Sequence, residues 1–172
     1  GGQNLISEEL GKALGIIRTY ELYNARKIDG GKQYFSTADD FGYSKLPTEA
    51  FEKWNDADML DQLVYAIRVL QPDIIVNRFD HRTEGNTHGH HTASAQLSKI
   101  AFKLAGDKNY KDLLNESVKT WHPARLFFNV SWFFFGSKQA FEKADKSKYI
   151  PLNIGVFYNQ LGKNNQEIAS LS

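Results

Sequence analysis

The sequence predicts an α/β protein with an open, mostly parallel sheet flanked by helices. Three observations carry that expectation. Asp73-Ile-Ile-Val-Asn77 is a short, uninterrupted apolar run, the pattern of a parallel strand covered on both faces. A helical apolar stripe precedes it (Met59, Leu63, Ala66, Ile67, Leu70) and another follows it (Ala93, Leu97, Ile100, Ala101, Leu104), both at the 3.6-residue period. Between strand and second helix lies a polar loop, so the order is helix, strand, loop, helix. The chain has 172 residues and reads as one domain, 1–172, long enough to bury a core.

The elements follow in order. Leu10, Leu14, Ile17, Ala25 and Ile28 recur at helical spacing from about Glu8 to Ile28, and Gly30-Gly31 supplies a stop. Glu21 interrupts that stripe where an apolar residue is expected. Arg18, one turn earlier, can pair with it, because a lone carboxylate on an inward face is costly. Either the pair is a structural salt bridge or Glu21 aims Arg18 into a cleft. Tyr34-Phe-Ser-Thr-Ala38 is β-prone and runs into the turn-like Asp39-Asp-Phe-Gly-Tyr43. Helices are expected over Thr48–Trp54 and Asp58–Leu70, the second ended by Gln71-Pro72, and then over Thr92–Leu104, ended by Gly106. Arg125-Leu-Phe-Phe-Asn-Val130 reads as a strand, and Trp132-Phe-Phe-Phe135 continues its aromatic run, with core packing favoured over a sugar-stacking surface for those rings. Leu152 to Tyr158 reads as another strand, and Lys143 to Lys148 as a solvated loop.

Composition narrows the function. A net charge of +1 gives no electrostatic case for nucleic acid or an anionic membrane. No apolar run has membrane-spanning length. With no cysteine, disulfides and thiolate metal sites are excluded, and any metal must take nitrogen and oxygen ligands. No glycine fingerprint follows a strand, which weakens a nucleotide-binding reading.

Four of the five histidines fall in His81-Arg-Thr-Glu-Gly-Asn-Thr-His88-Gly-His90-His91. Imidazole is a common metal ligand and a general acid or base near neutral pH, and His88 and His91 are spaced to face one cavity from a helical start. The loop also follows the predicted strand at its carboxyl end, where ligands bind in open α/β sheets. A solvated polar loop is the alternative.

Several strings resemble the PIG-L (LmbE-like) family: Gly1-Gly-Gln-Asn-Leu-Ile6, Leu14-Gly-Ile-Ile-Arg-Thr-Tyr-Glu-Leu22, Ala25-Arg-Lys-Ile-Asp-Gly30, Asp40-Phe-Gly-Tyr-Ser-Lys45 and Thr87-His-Gly-His-His-Thr-Ala-Ser94. The resemblance is dense from 1 to 105 and thins afterwards. It implies a Rossmann-like sheet and a zinc-dependent hydrolase that removes the N-acetyl group from an N-acetylglucosaminyl sugar or glycoconjugate. Where the family carries His-Pro-Asp-His, this chain reads His88-Gly89-His90-His91. The resemblance therefore implies His91 as zinc ligand and His88 as partner of the developing oxyanion, with His90 in the usual place of Asp. It implies Arg18 as a contact to substrate hydroxyl or phosphate oxygens and Asp40 as a sugar-hydroxyl acceptor. Zinc would polarise the acetyl carbonyl and acidify its bound water.

The family's upstream Ala-His-Pro-Asp-Asp-Glu motif, source of the other zinc ligands and the base, is absent from these 172 residues. A catalytic zinc site takes three protein ligands, so the chain on its own is expected to be inactive and weakly metallated. It opens Gly1-Gly2-Gln3, has Met59 as its only methionine and ends in what reads as an unfinished helix, so both ends read as cut from a longer protein. Loss of the first strands would leave an unpaired sheet edge, through which self-association is expected. A non-catalytic sugar-binding or scaffolding module with the same fold is the alternative function.

Overall fold

The computed structural model describes residues 4–82, 84–111 and 118–171 of a mixed α/β protein. In chain order it contains α1 (Gly11–Asp29), α2 (Pro47–Lys53), α3 (Asp56–Leu70), β1 (Ile74–Asn77), α4 (Gly89–Leu104), β2 (Arg125–Phe128), a 3-10 helix (Trp132–Phe135), α5 (Lys138–Lys143), β3 (Phe157–Tyr158), β4 (Lys163–Asn164) and α6 (Asn165–Leu171). The chain divides into two compact units, one of Gly1–Phe35 with Glu142–Ser172 and the other of Ser36–Phe141. No described helix is long and apolar enough to cross a membrane.

In the second unit β1 and β2 pair in parallel, from Ile74 opposite Arg125 to Asn77 opposite Phe128, with α4 in the connection between them. The side chain of Asn55 accepts from the Asp58 N–H and so caps α3. Gln71 ends it in a left-handed conformation (φ 48°) just before Pro72. α3 and α2 both pack on α4. Val64, Ile67, Ala101 and Ala105 form the core, with Leu63, Ile75, Leu104 and Trp121 against it. Arg68, 5% exposed, sits at the end of α4 and donates to the carbonyls of Ala105 (3.1 Å), Asp107 (2.9 Å) and Tyr110 (3.0 Å). A buried cation is tolerable there because its donors meet carbonyls that a helix end and its following turn would otherwise leave unpaired.

In the first unit Gly30 (φ 74°) ends α1 by donating to the Arg26 carbonyl at 2.9 Å, at the expected stop. α1 packs against α6.

Four expectations need correction. Residues 34–38 form no strand. Thr37 is tied to α3 through the Gln62 amide, which accepts from the Thr37 N–H (2.9 Å) and donates to its hydroxyl (2.6 Å), so side-chain bonds replace a sheet ladder. Between 152 and 158 only Phe157 and Tyr158 pair, antiparallel with Lys163 and Asn164; the preceding residues are held by Asn side chains, including Asn165 to the Ile154 carbonyl. Trp132–Phe135 is a 3-10 helix closed by Gly136, and Trp132 and Phe133 are exposed rather than core. Lastly, β1 is not covered on both faces: Ile75 packs on the core while Ile74 and Val76 are 53% and 61% exposed.

Candidate functional site

The site stands at the carboxyl end of β1, where the 78–88 loop leads into α4. His88 is the residue before the first helical turn, and its side chain does not cap it. Ser44 does so instead, from a loop far earlier in the chain. Its carbonyl accepts from the Gly89 N–H (2.7 Å) and its hydroxyl oxygen from the His90 N–H (3.2 Å), satisfying donors that a helix start leaves unpaired. Ser44 is 1% exposed, and this contact is possible only because residue 89 has no side chain. A Cβ there would lie 2.3 Å from the Leu46 carbonyl oxygen and 2.6 Å from Ser44 Oγ.

Three imidazoles gather at this helix start. His88 Nδ1 and His90 Nδ1 are 2.9 Å apart, and Ser44 Oγ lies 2.8 Å from His90 Nδ1 and 3.4 Å from His88 Nδ1. His90 packs among Phe41 and Trp54, with ring centroids at 4.3 and 5.2 Å, and its buried Nε2 finds no hydrogen-bond partner among the described residues. His91 turns the other way and stacks flat on Phe79, centroids 3.8 Å apart and planes 5° from parallel. It lines an open cleft of about 220 Å³ with Asn77, Arg78, Phe79, Ser94 and Ala95.

Partial desolvation is the main reason that His90 and His91 titrate below the ordinary 6.5, reinforced by the electrostatic effect of the neighbouring His88. Arg78 adds to the effect on His91, while Asp40 opposes it on His90. The Asp40 carboxyl is held below its usual range, first by the Gly42 N–H it accepts at 3.0 Å. These neutral-leaning imidazoles suit hydrogen bonding or metal ligation better than charge pairing.

His88, His90, His91 and Asp40 thus belong to one unit, with Asp40 electrostatically coupled to His90. Arg18 belongs to the other unit, where it donates to Glu21 at 2.6 Å. The pair was expected on an inward face; instead both side chains are about half exposed, at 48% and 47%, and Leu14 is the buried member of the stripe. Glu21 therefore needs no partner to offset burial. His81 is taken up by Asp80 (3.3 Å) and the Lys99 ammonium (2.9 Å), a loop-fixing role. Sequence reasoning missed Ser44, Phe79 and Arg78. Ser44 lies inside the string that drew attention to Asp40, but nothing local reveals that it caps a helix many residues later.

The zinc implied by the resemblance is a separate matter. Among the described residues no three His, Asp or Glu side chains converge as a metal site. His88 and His90 turn their Nδ1 atoms toward each other and Ser44, and His91 alone faces the cleft. The described residues do not by themselves fit a catalytic zinc, which takes three protein ligands and an open position.

Comparison with protein-family models and with curated proteins returns no match. Fold and site together define a mixed α/β protein with a cluster of imidazoles at the carboxyl end of a parallel strand pair, one of which, His91, lines an open cleft.

Proposed function

We propose that this chain carries one side of the active site of a metal-dependent hydrolase that removes the N-acetyl group from an N-acetylglucosaminyl sugar or glycoconjugate, on a Rossmann-like sheet to which β1 and β2 belong. The observation that carries the reading is the gathering of His88, His90 and His91 at the start of α4, directly beyond β1. In this reading His90 donates its Nδ1–H to His88 Nδ1. That bond fixes the proton of His88 on Nε2, where it serves as donor to the oxyanion of the tetrahedral intermediate. His91 is the metal ligand that this chain contributes. Asp40 accepts from a sugar hydroxyl.

In this reading the remaining ligands and the base come from outside the described residues. That requirement also favours the second reading, a sugar-binding module without chemistry, in which the same cleft binds and does not hydrolyse.

The test is release of free amine from a panel of N-acetylglucosaminyl substrates, with zinc present. The chain would be assayed alone and joined to a segment carrying His-x-x-Asp. Release by the joined protein is the expected result. Zinc bound with no release from any substrate would favour the binding module. Tight stoichiometric zinc on the 172-residue chain after dialysis would show that the ligands have been misassigned.

A further inference from the structure

We propose that Arg78 recognises an oxyanion in the cleft beside His91, so that the group bound there is an acidic sugar, phosphorylated or carboxylated, and not a neutral one. The inference rests on the reading of this cleft as a substrate site. Arg78 follows β1 directly, and its guanidinium carbon lies 5.2 Å from the ring centroid of Phe79 and 5.8 Å from that of Phe134. The two rings meet edge to face with centroids 5.7 Å apart. Aromatic faces attract the cation and restrain its position while leaving its N–H donors unspent. Arg26 and Arg82 clamp Asp29 and Asp80, but among the described residues Arg78 has no carboxylate partner.

A planar fork of N–H groups, held at the rim of a cleft without a counter-ion, matches the paired oxygens of a phosphate or carboxylate. Its neighbours suit the rest of a sugar. Ser94, whose O–H is donated to the His90 carbonyl at 2.7 Å, keeps an acceptor oxygen on the same cleft, and His91 offers an imidazole. Arg78 and His91 line the same cleft, so the two groups act on one small volume.

The test is binding to the 172-residue chain, followed by calorimetry, with inorganic phosphate, N-acetylglucosamine, its 1- and 6-phosphates and N-acetylmuramic acid as probes. At least one acidic sugar is expected to bind about ten-fold more tightly than N-acetylglucosamine, the gain of one charge-assisted bidentate contact. Arg78→Gln should erase that preference, and Arg78→Lys should keep only part of it, circular dichroism showing both variants folded. The phosphate and carboxylate arms tell the two oxyanions apart. Equal binding of neutral and acidic sugars, or a preference that survives in Arg78→Gln, overturns the inference. Binding of acidic sugars that depends on Arg78, with no amine released in the deacetylation assay, supports the subsite and removes the deacetylase. Deacetylation of neutral sugars at equal rates with and without Arg78 does the reverse.

Discussion

Replacing Gly89 with alanine tests how the histidine site is built. A Cβ at residue 89 would lie 2.3 Å from the Leu46 carbonyl oxygen and 2.7 Å from its carbon. Ordinary contacts begin near 3.4 Å, so the start of α4 must retreat by about 1 Å from backbone that cannot swing aside, an overpacking cost of about 1–3 kcal/mol. The retreat stretches the bonds from the Gly89 and His90 N–H groups to Ser44, now 2.7 and 3.2 Å, at about 1 kcal/mol each. Alanine's better helix propensity returns at most about 1 kcal/mol. The net loss is about 3 kcal/mol, which for a domain of this size lowers the thermal midpoint by about 10 °C. Thermal unfolding followed by circular dichroism measures it. Ser44→Ala, which removes the hydroxyl bonds to the His90 N–H and the His90 Nδ1 and adds no bulk, should cost about 1–2 kcal/mol. A Gly89→Ala midpoint within about 2 °C of the parent would show that the close approach of residues 44–46 to α4 is wrong.

Arg68→Met should destabilise the protein by about 2–4 kcal/mol, because the carbonyls of Ala105, Asp107 and Tyr110 lose a shared donor near the core. Urea unfolding at neutral pH checks this, and an unchanged midpoint would contradict it. Stability should also fall on acidification below pH 6.5. His81, His90 and His91 have folded pKa values below their ordinary 6.5, so the unfolded chain binds more protons through that window and is favoured as pH drops. Asp40, also depressed, holds its contribution above its ordinary 3.8 and loses it below. Urea midpoints at about pH 7.5 and about pH 5 should therefore differ, with the acidic one lower; equal or reversed midpoints would contradict the partial desolvation of these imidazoles.

The helices of the second unit were legible because period and punctuation agree there. Met59 and Ile67 on α3, and Ala93, Leu97 and Ala101 on α4, are buried as the stripes predict, while Leu70 and Ile100 at the stripe edges are 47% and 46% exposed. The starts were less legible. Sequence placed the beginning of α4 at Thr92, but it begins at Gly89 because Ser44 supplies acceptors from another segment, and no local pattern encodes that. β-propensity failed at Tyr34–Ala38 for a related reason: a strand exists only where a partner's N–H and C=O groups are in reach, and aromatic content does not supply them. The histidine cluster was visible as composition, yet its division was not. His81 differs from His91 only through Asp80 and Lys99 on one side and Phe79 on the other.

The most direct test of the proposed function is amine release from N-acetylglucosaminyl substrates by the zinc-supplied protein joined to a His-x-x-Asp segment, compared with its His88→Ala variant. The account predicts measurable release that falls by about 10²-fold or more in the variant, with metal content unchanged. Release that is indifferent to His88, or zinc bound with no release at all, would contradict it.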